Sequence, residues 1–161
     1  MNILEEFEKS LDNLSVETLR DLAFHDALTG TYNRNALERY REELDKKELS
    51  ITIGDVDDLK SVNDLFGHQA GDVFIRRSAD ALKKYSEMIF RLGGDEFLMV
   101  QFLFPPKQSM GVVDVIDRLA IEQMTFGTVN KLSDESLSSA MSRADKKMYE
   151  AKGGKKIGRD Q

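Results

Sequence analysis

Gly93-Gly94-Asp95-Glu96-Phe97 stands between two apolar runs, Met88-Ile89-Phe90 and Phe97-Leu98-Met99-Val100. Two β-type runs joined by a glycine-led polar step predict a hairpin. Any sheet in this chain must therefore contain an antiparallel pair at this point. Consecutive glycines let the backbone turn sharply and let a bulky ligand come close to it. Two acids at such a turn, with Arg91 as the basic neighbour, call for a cationic partner. A divalent metal carrying a polyphosphate supplies one. An ordinary exposed turn accounts for the same five residues when they are taken alone.

Periodicity places this hairpin among helices. Ile3, Phe7, Leu11 and Leu14 repeat at helical spacing, and Ser15 caps a second helix through Leu22. Thr29-Gly30-Thr31 marks a turn, after which Asn33 caps a helix carrying Ala36, Leu37, Tyr40 and Leu44. Ser50 to Val56 alternates as a strand does, with Ile51, Ile53 and Asp55 on one side. An acid thus ends an otherwise apolar face. Ser61 to Leu65 reads as a short helical turn and Gly67 to Gly71 as a loop holding His68, a structural histidine. The next helix turns Val73, Ile75, Ala79 and Leu82 inward. Pro105-Pro106 breaks the chain, 112–121 is helical, and Met124 to Val129 is a strand. A last helix runs from Ser133, capped there or at Asp134, to Lys152, and Gly153-Gly154 ends it. Interleaved helices and strands with one hairpin predict an α/β (α+β) sandwich on a mixed sheet.

Composition excludes several classes. A chain of 161 residues suits one domain with a proper core. With 40% apolar and 32% charged residues it is globular rather than disordered. The absence of cysteine removes disulfides and thiolate metal sites. No apolar run approaches the ~18 residues of a membrane span, and the acidic start is unlike a signal peptide, so the cytoplasm is the expected compartment. A net charge of −6 argues against nucleic-acid and membrane-surface binding, though not against a nucleotide whose phosphates are neutralised locally.

Asp55-Val56-Asp57-Asp58-Leu59-Lys60 adds to the hairpin. Asp55 at a strand end and Asp95 at a neighbouring turn can share a metal. Oxygen donors without His or Cys select Mg²⁺ or Mn²⁺. A solvated acidic loop explains the hexapeptide equally well on its own. Asn63 and Asp72 can together read a guanine edge, although a helix cap and a turn acid are their plainer roles. Lys152, Lys155 and Lys156 can reach a polyphosphate, or simply complement a helix C-terminus.

Taken together, these residues resemble the GGDEF domain family, the catalytic module of diguanylate cyclases. The resemblance runs from about Asp26 to Lys156 through Asp26-Ala27-Leu28-Thr29-Gly30, Asn33-Arg34, Asp55-Val56-Asp57, Lys60, Asn63-Asp64 and Gly67-His68-Gln69-Ala70-Gly71-Asp72. It continues through Gly93 to Phe97, Thr125-Phe126-Gly127, Arg143-Ala144-Asp145, Met148-Tyr149 and Ala151-Lys152. It implies a palm-like, nucleotide-cyclase-like sheet of about five strands surrounded by helices. Residues 1–25 become an N-terminal helical stalk and 26–161 the domain. It further implies a Mg²⁺-dependent (or Mn²⁺-dependent) nucleotidyltransferase. Two GTP, one on each member of an antiparallel dimer, would give the second messenger cyclic di-GMP and two pyrophosphates.

By position, Asp55, Val56 through its carbonyl, Asp95 and Glu96 would hold metal. Asp55, Asp95 and Glu96 would be catalytic, with Glu96 assisting the metals or the attacking hydroxyl. Asn63 and Asp72 would bind guanine. Lys60, Lys152, Lys156 and the N–H groups around Asp58 and Leu59 would bind phosphates.

Three departures accompany the resemblance. Lys84-Tyr85-Ser86-Glu87 replaces the Arg-x-x-Asp inhibitory product site, and neither Lys84 nor Glu87 reproduces its geometry. Lys156 replaces a phosphate-binding arginine, and Arg159 is the expected substitute if the tail folds back. The segment between Phe97 and Thr125 is shorter than usual, which predicts an altered sheet edge or dimer surface. No recognisable sensor precedes the domain, so dimerisation falls to the short stalk, another protein or mass action. The alternative reading is a catalytically weak domain acting as a GTP-binding regulatory or dimerisation module.

Overall fold

The computed structural model describes residues 2–103 and 123–159. The expected break at Pro105-Pro106, the expected helix over 112–121 and the Lys156 side chain lie outside the described residues. In chain order the elements are α1 (Ile3–Asp12), α2 (Val16–Phe24), α3 (Arg34–Asp45), β1 (Leu49–Val56), α4 (Leu59–Phe66) and α5 (His68–Leu82). They continue with β2 (Met88–Gly93), β3 (Glu96–Phe102), β4 (Met124–Lys131) and α6 (Leu137–Arg159).

The mixed α/β architecture is as expected. Among the described residues four strands lie in the order β2-β3-β1-β4, against the roughly five expected of the whole sheet, and every neighbouring pair is antiparallel. Among the described residues parallel pairing is confined to one isolated bridge, Tyr32 to Phe90, on the outer side of β2. There the Tyr32 N–H donates to the Ile89 carbonyl and the Arg91 N–H to the Tyr32 carbonyl, at 2.9 and 2.8 Å. This bridge occupies part of the β2 edge that would otherwise present unpaired groups.

Strand alternation divides the core into two layers. Ile51 and Ile53 of β1, Leu98 and Val100 of β3, and Val129 of β4 meet α3 (Ala36, Leu37, Leu44) and α6 (Leu137, Ala140, Ala144, Met148). Val56, Ile89, Phe97, Met99 and Met124 meet Ile75, Ala79 and Leu82 of α5. The side chains of β1 that face α3 and α6 end in Asp55, as the alternation predicts. On that side α6 lies so close to β4 that a Cβ at Gly127 would sit 1.9 Å from the Ala144 carbonyl oxygen. The glycine is a packing requirement, and it sets the approach of α6 to the sheet.

Helix ends were the least legible features. Ser15 caps α2 and Asn33 caps α3 as expected, each accepting from the backbone N–H three residues on at 3.0 Å. The Gly67–Gly71 segment is not a loop. Gly67 alone, at φ 82°, makes the break, and α5 begins at His68. Val73 of α5 is 42% exposed, and the buried stripe runs through Gly71, Ile75, Ser78, Ala79 and Leu82. Helix α6 starts at Leu137 rather than Ser133. Its first turn is capped by Ser136 Oγ, which accepts from the Ser139 N–H, and by Asp45 Oδ1, which accepts from the Leu137 N–H at 2.6 Å. Gly153 and Gly154 do not end it. A helical glycine costs about 1 kcal/mol, too little to stop a helix anchored on the sheet upstream.

Candidate active site

The acids converge because of strand register. Asp55 and Glu96 are direct partners across the β1–β3 ladder, which puts their side chains on one face. The Val56 N–H donates to the Asp95 carbonyl at 3.0 Å and so ties the hairpin turn to the end of β1. The turn uses Gly93 at φ 155° and Gly94 at φ 49°, and a bulge in β2 between Arg91 and Gly93 adjusts its direction. Asp55 is buried, Asp95 half-buried and Glu96 exposed.

Charge crowds this end of the sheet. Burial pushes the Asp55 carboxyl above the ordinary range, the charges of Asp95 and Asp57 push the same way, and Lys152 opposes them. Glu96, though exposed at its surface side, is raised by partial desolvation of its carboxyl and then by Asp55, Asp95 and Asp145, again with Lys152 opposing. The Lys152 Nζ lies 2.5 Å from Asp55 Oδ1. Asp57 points its carboxylate elsewhere, accepting from Thr125 Oγ1 at 2.7 and 2.8 Å.

Among the described residues no group of three or more acids is arranged to hold a metal ion. The chemistry of the donors still suits a hard divalent cation. All are oxygens, and the carboxylate crowding that adds to burial in raising Asp55 and Glu96 is what such a cation would relieve.

The expected guanine residues are also neighbours. A Cβ on Gly71 would lie 2.0 Å from Asn63 Oδ1, so the Asn63 amide lies over residue 71, next in the chain to Asp72. Asn63 is half-buried and Asp72 exposed. Asp58 precedes α4 in a left-handed conformation (φ 59°, ψ 15°), and its side chain does not cap the helix. The first N–H groups of α4 therefore receive no cap from Asp58, while Leu59 is half-buried and Lys60 exposed. Lys84 and Glu87 are exposed in the α5–β2 connection. They lie at the opposite end of β2 from the acids, about 16 Å away along the strand at the usual rise per residue.

Two residues escaped the reading of the chain as functional parts. Arg91 bonds the Gly94 carbonyl through Nε and Nη2, at 3.0 and 2.6 Å, and pairs with Asp26 through Nη1 at 3.0 Å. Asp26 also accepts from the N–H and hydroxyl of Thr29. The available signal was Arg91's place as the basic neighbour of the acidic turn. Nothing local in the sequence signals a role for Asp145, which contributes to the charge around Glu96.

Several known proteins are similar to this chain. Diguanylate cyclase VdcA of Vibrio cholerae serotype O1 is 32% identical over 150 residues, covering 81% of this chain and 44% of that protein. Diguanylate cyclase DgcZ of Escherichia coli K12 is 29% identical, over 96% of this chain and 57% of that protein. The chain thus spans about half the length of such curated relatives. Among solved structures, the coiled coil and GGDEF domain of DgcB from Caulobacter crescentus, in complex with c-di-GMP, aligns with a TM-score of 0.75. It is 25% identical, with 94% of this chain and 91% of that one covered. The family model described as "Diguanylate cyclase, GGDEF domain" matches residues 23–157, and the chain belongs to the GGDEF domain family.

Proposed function

We propose that this chain is a diguanylate cyclase module that condenses two GTP into cyclic di-GMP and two pyrophosphates. The observation that carries the reading is the cross-strand pairing of Asp55 with Glu96 beside Asp95, with Lys152 as their counter-charge.

Asp55, the Val56 carbonyl, Asp95 and Glu96 are the residues that would hold divalent metal. Bound Mg²⁺ or Mn²⁺ supplies polarisation of the phosphoryl oxygens and neutralises charge on the departing pyrophosphate. Asn63 accepts from or donates to the guanine edge, and Asp72 accepts from its N–H groups. Lys60, Lys152, Lys156 and the N–H groups around Asp58 and Leu59 hold the β- and γ-phosphates. Glu96, whose proton affinity is raised by partial desolvation and by its neighbours, assists the attacking 3′-hydroxyl or the metal.

Each nucleotide's 3′-hydroxyl must meet the α-phosphate of the other. One domain presents one such site, so turnover needs two domains facing each other as an antiparallel dimer. Residues 1–25 act as the stalk and 26–161 as the catalytic domain. Among the described residues no helix is long and apolar enough to cross a membrane, and we place the protein in the cytoplasm.

The test is to incubate the protein with GTP and Mg²⁺ at high protein concentration and to chromatograph the products. Cyclic di-GMP that disappears in Asp95→Ala is the expected result. GTP left intact by a folded protein that still binds it would replace the cyclase with a regulatory GTP-binding module.

A further inference from the structure

Lys152 is committed to a carboxylate that the proposed chemistry requires for something else. Its ammonium lies 2.5 Å from Asp55 Oδ1, and the Asp55 side chain is only 11% exposed. A divalent ion of magnesium's size needs its carboxylate oxygen at about 2.1 Å, in the place the ammonium holds. Two cations cannot share that oxygen without strong repulsion in a partly buried site. The Lys152 side chain is itself 32% exposed. Its flexible four-carbon stem therefore has a path away from Asp55 without any change in the backbone.

We propose that Lys152 is an exchangeable counter-ion that makes metal binding depend on nucleotide. In the nucleotide-free protein it neutralises Asp55, and an arriving polyphosphate draws the ammonium away so that a divalent cation takes its place. The inference rests on the reading above, in which Asp55 ligates metal and Lys152 contacts phosphate. It gives an order to binding: metal alone meets a site already occupied by a cation, whereas a metal–nucleotide complex carries the anion that displaces it.

The experiment is a Mn²⁺ titration of the nucleotide-free protein, followed by electron paramagnetic resonance, on wild type, Lys152→Met and Lys152→Gln. Circular dichroism melts check that each variant is folded. Removing the ammonium should tighten Mn²⁺ binding by at least about tenfold, within the usual range of coupling between sites. Adding Asp55→Asn to Lys152→Met should abolish the gain. Equal Mn²⁺ affinities in wild type and both single variants would overturn the exchange. So would a gain that survives Asp55→Asn. Product formation, measured separately, keeps the two readings apart. Tighter Mn²⁺ binding with no cyclic di-GMP leaves the exchange standing and removes the cyclase. Product without the affinity difference does the reverse.

Discussion

Arg91 grips the carbonyl of Gly94 with two donors, Nε at 3.0 Å and Nη2 at 2.6 Å, and thereby fixes the turn that carries Asp95. The remaining arm, Nη1, reaches Asp26 at 3.0 Å, just beyond the end of α2. The guanidinium is 14% and the Asp26 carboxylate 23% exposed. The pair is sheltered enough to set geometry as well as to hold charge. One side chain thus joins the segment just after α2 to the acidic turn that carries Asp95.

Arg91→Lys tests that grip. Lysine keeps the charge but offers a single point donor, so it cannot bond the Gly94 carbonyl and Asp26 in the same fork. The turn should loosen while the fold remains. We expect a fall in kcat of about 10–100-fold, the scale on which small misplacements act, and a stability loss of about 1–2 kcal/mol. Steady-state kinetics with a urea melt check both. Unchanged kcat in a destabilised protein would make Arg91 purely structural.

Asp26→Asn tests the other end through pH. Burial raises the Asp26 carboxyl, but the Thr29 and Arg91 hydrogen bonds and the Arg91 charge outweigh it, and the net shift is below the ordinary value of 3.8. A group depressed on folding adds stability that is fully present above its unfolded pKa and is lost as pH falls through the folded one. Wild type should therefore exceed the variant by about 1–2 kcal/mol at neutral pH. The gap should hold down to the ordinary carboxylate range and close below it. Melts between pH 3 and pH 7 measure this, and a gap unchanged at the acid end would sink the assignment.

What was legible in the chain was local. The hairpin, the caps at Ser15 and Asn33 and the acid at the end of β1 follow from neighbours a few residues apart, where spacing and residue type carry the information. The acids could be grouped because register brings strand ends together. The illegible contacts join distant residues: Asp26 to Arg91 across 65 positions, Lys131 to Asp45 across 86, and Asp45 to Leu137 across 92. No periodicity signals such pairs. The start of α6 was misplaced for that reason, since part of its cap comes from the end of α3 and not from Ser133 or Asp134. The loop expected over Gly67–Gly71 failed differently. One glycine at φ 82° was sufficient for the break, and the residues after it were free to be helical.

Lys131→Met probes one of these distant contacts. Lys131 is fully buried, and its ammonium donates to the carbonyls of Asp45, Lys47 and Leu132 at 2.7, 2.9 and 3.0 Å. Three donors meet three acceptors, two of them at the carboxyl end of α3, where a cation also suits the helix dipole. Methionine fills similar volume but leaves those oxygens without their partner. A loss of about 2–4 kcal/mol is expected, from the desolvation cost of unsatisfied acceptors. Urea denaturation measures it. A loss within experimental error would mean that water replaces the ammonium without cost.

Gly71→Ala separates binding from stability. In a helix interior alanine is favoured over glycine by up to about 1 kcal/mol, so α5 should be no weaker and the melting temperature should hold or rise. The added methyl, however, would lie 2.0 Å from Asn63 Oδ1, and the amide has to leave its position over residue 71. If Asn63 and Asp72 read guanine as a pair, the Michaelis constant for GTP should rise by about tenfold, with kcat much less affected, the pattern of lost ground-state binding. Asp72 is exposed and one residue further along the helix, so its own carboxylate is left in place. Any rise in KM therefore reports on the amide. A stable variant with wild-type KM would show that Asn63 does not touch the base, and the guanine site would have to be sought elsewhere around α4.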